Sequence, residues 1–440
     1  MHPFIRPLYA AAGLVAEAAA AAVPGATGKV RRALTVRKQV ARRFEQWGRR
    51  LRQPSRPLLW IHAPSVGEGL QARPVLQALR TMHPEFQLAY TYFSPSAASF
   101  AAALDVDFYD VLPFDTARGA STVLGALRPT AIIFSKLDVW PMLVEEAHRR
   151  AIPLALISAT LSAGSSRSSK FAKLLLRDAY AQLSAVGAIS APDAARLIAL
   201  GCRAEAVRIT GDTRFDQVIA RARDTTGMDS LLAPLRSDRP TLVAGSTWPA
   251  DEREIFPALT DARIRERRLR MIIAPHEPTA LHLAPIEQWA TESGLRHARL
   301  GAVAAATADI VIVDRVGVLG DLYALGDIAF VGGGFHAAGL HSVLEPAAYG
   351  IPVVFGPRHS TSRDAALLIE AGGAREVRDR EQLISTLSRW LDDPIDRRAA
   401  GSSARQVVDD NAGATQRSVA LIESILPGPS IPARLPLGAR

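Results

Sequence analysis

The sequence predicts an α/β protein of two domains, and three observations support that prediction. The chain has 440 residues, whereas a single hydrophobic core rarely grows beyond about 250–300 residues. Short apolar runs alternate with helical stretches, which is the pattern of a parallel sheet covered by helices on both faces. The alternation is interrupted and then restarts at Arg239. We therefore expect two α/β domains with a cleft between them.

Residues 1–54 are predicted to form a membrane-associating segment and a basic helix. Residues 8–23, "LYAAAGLVAEAAAAAV", are apolar but are interrupted by Glu17 and are shorter than the roughly 20 residues of a membrane span. Residues 29–52 are densely basic and carry an apolar stripe at helical spacing, formed by Val36, Val40, Phe44, Trp47 and Leu51. Such a helix binds an anionic lipid surface, or it packs against a domain with its basic face in solvent. The sequence leaves both open for this helix. For residues 8–23 a secretory signal is also conceivable, and we expect an interfacial anchor on the cytoplasmic face.

Residues 55–220 are predicted to form the first α/β domain, with strands at "LLWIHA", "QLAYTYF", "DVLPF", "AIIFSK", "PLALISA", "AVGAIS" and "VRITG". The first run ends in "PSVGEG", residues 64–69, and a helical pattern follows it. Ligands bind beyond the carboxyl ends of strands in open α/β sheets, so Ser65, Gly67 and Glu68 are candidate site residues. Glu68 is either a catalytic base or an acid that complements the positive end of a helix.

The second half of the chain repeats the alternation. Residues 221–238 are polar and are predicted to be a linker, residues 239–425 a second α/β domain, and the proline-rich residues 426–440 a disordered tail. Neither half contains G-x-x-x-x-G-K-[ST] or a complete G-x-G-x-x-G. The sequence therefore argues against an ordinary nucleotide hydrolase and a standard dinucleotide enzyme.

Three loops of the second domain contain groups suited to an anionic nucleotide. In "AGSTW", Gly245 permits close backbone approach, and the hydroxyls of Ser246 and Thr247 at a predicted helix start suit a phosphate. "APHEP" ends the next strand with His276. The third loop lies in residues 331–357 and begins with three glycines.

Two polar residues follow those glycines, and the residues alone leave their role open. Ser342 and Glu345 are spaced as in a capping box, the reciprocal hydrogen bonding that starts many helices. They are equally suited to contact a ligand at the end of the preceding strand.

Charge and cysteine content limit the partners. Fifty-two Lys and Arg against 43 Asp and Glu give a net charge of +9, which favours an anionic partner. The single cysteine, Cys202, excludes an internal disulfide framework and any cysteine-based metal site. We expect Cys202 to be an inert packing residue.

The motifs taken in chain order resemble the Kdo transferases, enzymes that move 3-deoxy-manno-octulosonic acid (Kdo) from CMP-Kdo onto a lipid A precursor. They are "SVGE", "YTYFSPS", "LPFD", "SKLDVWP", "ISATLS", "ITGDTRFD", "VAGSTW", "IIAPHEP", "FVGGGF" and "LHSVLEPAAYGIPVVFGP". The resemblance covers residues 30–425. The resemblance implies a GT-B glycosyltransferase, with two Rossmann-like domains facing a central cleft. It also implies an acceptor site in the first domain, a CMP-sugar site in the second, and inversion at the anomeric carbon without a metal or cofactor.

The resemblance also implies residue roles. Glu68 matches the family's "SVGE" glutamate, the implied base, and Asp138 is a second catalytic candidate. The implied nucleotide-binding residues are Gly245, Ser246, Thr247, Pro275, His276, Gly332, Gly333, Gly334, His341, Ser342 and Glu345, of which Glu345 matches the contact to the ribose hydroxyls. The implied substrate-binding residues are Ser65, Gly67, Lys136 and Arg214. The implied partners are CMP-Kdo, a lipid A precursor and an anionic membrane surface but no nucleic acid, at the cytoplasmic face of a bacterial inner membrane.

The sequence departs from the family's common motifs at three places. E-T-E-L-W-P is "KLDVWP" here, H-N-P-L-E-P is "HSVLEP", and A-P-R-H-P is "APHEP". These changes bear on the acceptor and on the number of sugars added. Two rival functions follow: a GT-B enzyme that uses another nucleotide sugar, such as a UDP-sugar transferase or epimerase, and an inactive membrane-surface relative. Retention of Glu68 and Glu345 argues against the inactive form.

Overall fold

The computed structural model divides the chain into two compact units, Met1–Asp216 with Gly413–Arg440, and Gln217–Ala412. The described residues are 5–22, 34–162, 164–165, 167, 169–224 and 232–427. Part of the predicted linker, residues 225–231, and most of the predicted tail, residues 428–440, lie outside these ranges.

The first unit is built on a seven-stranded parallel sheet of order β3-β2-β1-β4-β5-β6-β7. Its strands are β1 Leu58–His62, β2 Gln87–Tyr92, β3 Phe108–Val111, β4 Ala131–Ser135, β5 Leu154–Ala159, β6 Ala185–Ala188 and β7 Val207–Ile209. The central strands are buried along their whole length, as expected for a sheet covered on both faces. The helices of this unit are Arg6–Ala22, Val40–Arg50, Val66–Met82, Ala98–Ala102, Ala117–Leu127, Pro141–Arg149, Lys170–Ala181, Ala191–Leu200 and Ala414–Glu423, and the helix Thr213–Arg223 leads out of it.

The second unit repeats the plan with a seven-stranded parallel sheet of order β10-β11-β9-β8-β12-β13-β14. Its strands are β8 Thr241–Thr247, β9 Arg270–Pro275, β10 His297–Arg299, β11 Ile310–Ile312, β12 Ile328–Val331, β13 Val353–Phe355 and β14 Ala374–Glu376. Its helices are Pro249–Thr260, Ala262–Arg265, Ala280–Glu292, Leu319–Leu322, Leu344–Ala348, Arg363–Glu370, Arg380–Asp392 and Pro394–Asp410.

Each sheet has one point where the strand order reverses, and ligands bind at such points in open α/β sheets. In the first unit β1 pairs with both β2 and β4, and His62 lies beside Phe134. In the second unit β8 pairs with both β9 and β12, and Gly245 lies beside Val331. The loops that leave these strand ends carry most of the candidate site residues.

Four residues of the apolar stripe, Val36, Val40, Phe44 and Trp47, pack against the first unit, whereas Leu51 is 60% exposed. Phe44 and Trp47 are 0% and 7% exposed. The Phe44 ring meets the edge of the Phe108 ring with centroids 4.8 Å apart, and Trp47 Nε1 donates to the Asp107 carbonyl over 3.2 Å. The prediction that this stripe binds lipid was therefore wrong, because strand β3 needs an apolar cover and the stripe supplies it. Packing with a solvated basic face, the other prediction left open, is confirmed.

The alanine-rich N-terminal helix Arg6–Ala22 lies on the first unit through polar contacts. The Tyr9 hydroxyl donates to Asp115 over 2.9 Å, and Arg6 pairs with Glu145 at 2.7 Å. Elsewhere on the helix, large apolar side chains are exposed: Leu8, Leu14 and Val15. Among the described residues no helix has the length and apolarity needed to cross a membrane.

The last helix, Ala414–Glu423, belongs to the first unit, although the sequence-based boundaries included it in the second domain. Val419 and Ile422 are buried in the apolar core of the first unit. The Asp216 carboxylate accepts the backbone N–H groups of Gly413 and Thr415, both over 2.6 Å. The chain therefore returns to the first unit after completing the second.

Candidate active site

Glu68 lies where β1 gives way to the helix Val66–Met82, in contact with residues from both strand ends of the reversal point. The Ser65 hydroxyl donates to one carboxylate oxygen of Glu68. Lys136 Nζ, one residue beyond β4, lies 3.3 Å from the other oxygen. The Glu68 side chain is 18% exposed. The structure thus brings together three of the predicted residues, and it leaves the carboxylate accessible from solvent.

Ser65 and Glu68 do not form a capping box. Ser65 is the residue before the helix, but its side chain accepts no backbone N–H there. Its hydroxyl is instead turned towards the Glu68 carboxylate. The hydrogen bonding therefore fixes the carboxylate rather than the helix end, which favours a chemical role for Glu68.

The pKa of Glu68 is set by opposing effects. Burial raises the pKa, but the hydrogen bond from Ser65 and the charge of Lys136 outweigh burial and leave the pKa below its usual value. The group is therefore an ionised carboxylate at neutral pH, able to accept a proton.

Lys136 occupies an unusual backbone conformation. Its φ is +67°, a region that residues other than glycine rarely adopt. Its N–H donates to Ile157 of β5 over 2.9 Å, and the neighbouring Ser135 hydroxyl donates to the Glu68 carbonyl over 3.0 Å. The loop after β4 is thus tied to the helix that carries Glu68, and Lys136 leaves the strand beside the carboxylate.

A buried polar chain lies at the end of β1, and the sequence did not indicate it. Trp140 Nε1 donates to His62 Nε2 over 2.9 Å, so the proton of the neutral ring is on Nδ1, which lies 2.9 Å from the Thr91 hydroxyl. Burial lowers the pKa of His62 to about 3. His62 is therefore neutral, and it orients Trp140 of the "KLDVWP" motif.

Three other predicted residues of the first unit have different surroundings. Asp138 forms an ion pair with Arg167. Arg214 makes a forked contact with the buried Asp212 over 2.7 and 2.9 Å. Gly67 is exposed, and a side chain there would meet only Ser65 Oγ at 3.7 Å. Asp138 and Arg214 are thus each paired with an oppositely charged side chain of the protein.

In the second unit the glycine loop after β12 packs backbone against backbone. A Cβ on Gly332 would lie 2.2 Å from the Ser246 carbonyl oxygen, so only glycine lets this loop touch the end of β8. Gly333 has φ +90°, which glycine adopts without strain. Gly334 is packed in the same way against Gly356. These glycines allow the loops at this site to pack closely against one another.

Several residues predicted to hold the nucleotide instead contact other groups of the protein. A Cβ on Gly245 would lie 2.2 Å from the Tyr323 hydroxyl oxygen. Thr247 is buried and its hydroxyl donates to Glu252 over 2.9 Å. Pro275 is buried at the end of β9. The helix Pro249–Thr260 also begins with buried acids, which disfavours a phosphate at that end.

An aromatic cluster lies beside these loops and contains two residues that sequence reasoning missed, Trp248 and His336. Trp248 stacks on His336 at 4.2 Å and on His276 at 4.6 Å between ring centroids, and His276 stacks on His341 at 4.5 Å. Trp248 Nε1 donates to His341 Nε2 over 3.1 Å. Burial, together with the charges of His276 and His336, lowers the pKa of His341 to about 4. His341 is thus a neutral ring with its proton on Nδ1.

Glu345 follows the glycine loop and faces a cation. The helix Leu344–Ala348 is preceded by Val343, which makes no side-chain cap, so the predicted alternative of a capping box is not what the structure contains. Glu345 Oε1 lies 4.0 Å from Arg221, which is held by Asp321 through two 2.9 Å hydrogen bonds. Burial raises the pKa of Glu345 although Arg221 opposes it. Ser342, by contrast, is exposed.

The described residues contain no group of three or more His, Cys, Asp or Glu side chains placed to hold a metal ion. Cys202 is buried, as predicted, and burial raises the pKa of its thiol to about 12.

Comparison of the sequence with known proteins gives one family. Residues 38–217 match the family described as 3-Deoxy-D-manno-octulosonic-acid transferase (kdotransferase). A 3-deoxy-D-manno-octulosonic acid transferase of Bordetella pertussis is 30% identical over 396 residues, which cover 87% of this chain and 91% of that protein. One from Haemophilus influenzae is 26% identical over 395 residues, covering 89% and 92%.

Comparison of the fold with solved structures gives enzymes of UDP-sugars. The UDP-GlcNAc 2-epimerase of Neisseria meningitidis superposes with a TM-score of 0.60 at 14% identity, covering 84% of this chain and all (100%) of that one. The S. aureus MnaA–UDP structure superposes with a TM-score of 0.56 at 13% identity, covering 83% and 96%. At this identity the likeness concerns the fold alone, and it confirms the predicted GT-B class with its two parallel α/β sheets.

Proposed function

The chain belongs to the 3-deoxy-D-manno-octulosonic acid transferase family, and from this we infer that it transfers Kdo from CMP-Kdo in lipopolysaccharide biosynthesis. We propose a lipid A precursor as the acceptor. The observation that supports transfer most directly is the Glu68 carboxylate, held by Ser65 and Lys136 at the reversal point of the first sheet.

In the proposed reaction Glu68 is the general base. The acceptor hydroxyl loses its proton to Glu68 while its oxygen forms a bond to the anomeric carbon of Kdo. The bond from that carbon to the phosphate oxygen breaks, and CMP leaves with the electron pair. Because the oxygen attacks opposite the leaving group, the anomeric configuration inverts. The step balances without a metal or a cofactor.

Lys136 and Ser65 support this role because they keep the Glu68 carboxylate negatively charged. Both lower the pKa of Glu68, so the carboxylate is ionised before the acceptor arrives. Lys136 also places a positive charge near the reacting centre, where the negative charge of a phosphorylated or carboxylated substrate is attracted.

The proposed donor site is the loop region around the aromatic cluster and Glu345. Glu345 accepts the ribose hydroxyls of CMP, and Arg221 fixes the carboxylate for that purpose. The exposed side chains of His276 and Ser342, with the half-buried His341, supply donors for the phosphate or the sugar. In this proposal neither Thr247 nor Gly245 contacts the donor. The Thr247 hydroxyl is hydrogen-bonded to Glu252, and the Tyr323 hydroxyl packs against Gly245.

We further propose that the enzyme docks on an anionic membrane surface at the cytoplasmic face, through the helix Arg6–Ala22 rather than the buried stripe. Its exposed Leu8, Leu14 and Val15 are suited to insert at the lipid boundary. Exposed basic residues of the next helix, Arg42, Arg49 and Arg50, add an attraction of about 1 kcal/mol each at most.

The direct test measures CMP release from CMP-Kdo with and without a lipid A precursor. We expect release to depend on the precursor, and release that does not would contradict the acceptor assignment.

Thermal unfolding with CMP and with UMP separates this function from a UDP-sugar enzyme, because a ligand at 100 times its Kd adds about 2.7 kcal/mol of stability. Stabilisation by UMP alone would overturn the proposal.

A further inference from the structure

Asp251 is a buried carboxylate that joins the two loops of the second unit at the reversal point of its sheet. It lies in the first turn of the helix Pro249–Thr260 and is 0% exposed. One of its oxygens accepts the N–H of Trp248 over 2.9 Å and the N–H of Gly333 over 2.8 Å. The other accepts the N–H of Phe335 over 3.1 Å.

These three bonds connect separate parts of the chain. Trp248 follows β8, whereas Gly333 and Phe335 belong to the glycine loop after β12 and lie 82 and 84 residues beyond Asp251 in the chain. A buried carboxylate is costly unless its oxygens are satisfied. Burial raises the pKa of Asp251, and the three N–H groups oppose that effect. The carboxylate is compensated only while both loops keep this arrangement.

We propose that Asp251 is a positioning residue for the nucleotide-sugar site, and this inference rests on the donor site proposed above. Its carboxylate sets the backbone of the glycine loop. Through the Trp248 backbone it also sets the indole that stacks on His276 and His336 and donates to His341. Asp251 itself is buried and does not touch the donor. It acts by holding the donor-binding groups in one geometry before the donor arrives.

The isosteric change Asp251→Asn isolates this role. Asparagine has one acceptor oxygen, and its NH₂ group only donates. Whichever way the amide is turned, at least one of the three backbone N–H groups then faces a donor and loses its partner. The side-chain volume hardly changes, so the loop geometry is disturbed without a cavity.

The adjacent Glu252 provides a matched control. It is also buried, it lies in the same helical turn, and burial raises the pKa of its carboxyl as well. Its hydrogen bond is to the Thr247 hydroxyl, and a glutamine retains the acceptor oxygen that this bond needs. Glu252→Gln thus tests the loss of a buried charge without the loss of the loop contacts.

The experiment compares full-length wild type, D251N and E252Q. We expect D251N to raise the KM for CMP-Kdo and the Kd for CMP by about tenfold, with a smaller change in kcat, because binding geometry and not the base is disturbed. We expect E252Q to leave both constants within about twofold of wild type, even if the two variants lose similar thermal stability.

Wild-type constants in D251N, or an equal rise in E252Q, would overturn the inference while leaving the proposed function intact. A wild-type chain that binds no CMP would overturn both. If D251N does not fold, hydrogen exchange of the wild type decides: the amides of Gly333 and Phe335 should exchange more slowly with CMP bound, and exchange that CMP leaves unchanged contradicts the positioning role.

Discussion

At the scale of single residues, two similar turns of the first unit show how capping differs from chemistry. Ser190 precedes the helix Ala191–Leu200, and its hydroxyl accepts the N–H of Asp193 in the manner of a helix cap. Ser65 stands in the same relation to Glu68 but makes no such cap. Both serine hydroxyls also donate to the acid itself. Asp193 is only 5% exposed and accepts the N–H of Leu161, whereas Glu68 is 18% exposed. The Glu68 carboxylate is therefore more accessible to solvent than the Asp193 carboxylate.

The first prediction concerns this carboxylate. Glu68→Gln keeps the shape of the side chain but removes its proton affinity, so we expect kcat to fall about 10²-fold or more. CMP binding, measured by calorimetry, should stay close to wild type because Glu68 lies in the other unit. Asp193→Asn is the control, which should lower stability and spare kcat. Near-normal turnover of Glu68→Gln would remove the base assignment.

The second prediction concerns pH. Lys136 lowers the pKa of Glu68, so in the wild type the base stays ionised until the pH falls below the usual glutamate range. Replacing Lys136 by Met removes that effect and should move the acidic limb of the kcat/KM profile to higher pH. The expected profile loses activity earlier as the pH falls. A limb that does not move would show that Lys136 has no influence on the active base.

The third prediction concerns the nucleotide. Glu345→Ala should weaken CMP binding by about 1.5–3 kcal/mol, the range for hydrogen bonds that involve a charged group. Calorimetry with CMP measures the change. Glu277→Ala is the control, because Glu277 is an exposed acid on the neighbouring loop after β9. An unchanged dissociation constant for Glu345→Ala would leave the carboxylate as a partner of Arg221 only.

At the scale of elements, the two N-terminal helices differ in whether their apolar side chains are buried. The helix Val40–Arg50 has the stronger amphipathic pattern, yet its Val40, Phe44 and Trp47 are in the core of the first unit. The helix Arg6–Ala22 is poorer in large apolar residues, yet it exposes those it has. An apolar stripe shows that a helix has a surface to bury, but it does not show whether protein or lipid buries it.

The fourth prediction compares the two N-terminal helices. Phe44→Asp with Trp47→Asp should destabilise the first unit by several kcal/mol, since truncating one buried aromatic side chain already costs about 3–5 kcal/mol. Leu8→Asp with Val15→Asp should leave thermal unfolding nearly unchanged but reduce sedimentation with anionic liposomes. Binding should also fall as salt rises, because the basic contribution is screened. Normal liposome binding of the Leu8 and Val15 variant would contradict the membrane role of that helix.

At the scale of the whole molecule, the chain does not divide at one point into two halves. The helix Thr213–Arg223 leads into the second unit, and the chain returns after Ala412 to place its last helix in the first. Asp216 binds the backbone at the point of return. The first unit is therefore complete only when the C-terminal residues are present.

The fifth prediction follows from that return. A chain that ends at Ala412 loses Val419 and Ile422 from the first core, and each buried side chain of this kind contributes about 1.5–3 kcal/mol. We expect the first unit to unfold at lower temperature or to fail to fold, while CMP still stabilises the second unit. Truncation after Leu426 is the control. Loss of the CMP response after truncation at Ala412 would place the helix with the donor unit instead.

The two parallel α/β sheets and the position of the loops with the candidate site residues follow from local patterns in the sequence. Uninterrupted apolar runs predict strands buried on both faces, and the ends of such strands are fixed by local residues such as those after Ile61 and Phe330. The motifs also indicated the family and named Glu68, Ser65 and Lys136 as candidate site residues, but the contact of Lys136 with Glu68 came from the structure. These features depend on spacing along the chain, which the sequence contains directly.

Which polar side chains are free to meet a ligand depends on contacts made in the folded chain. Thr247 and Asp251 stand four residues apart, and nothing local shows that Glu252 takes the hydroxyl of one or that the other binds a loop 82 residues away. The burial of Phe44, the place of the last helix and the contact of Arg221 with Glu345 are decided in the same way. Each depends on a partner distant in sequence, because hydrogen bonding and burial are properties of neighbours in space.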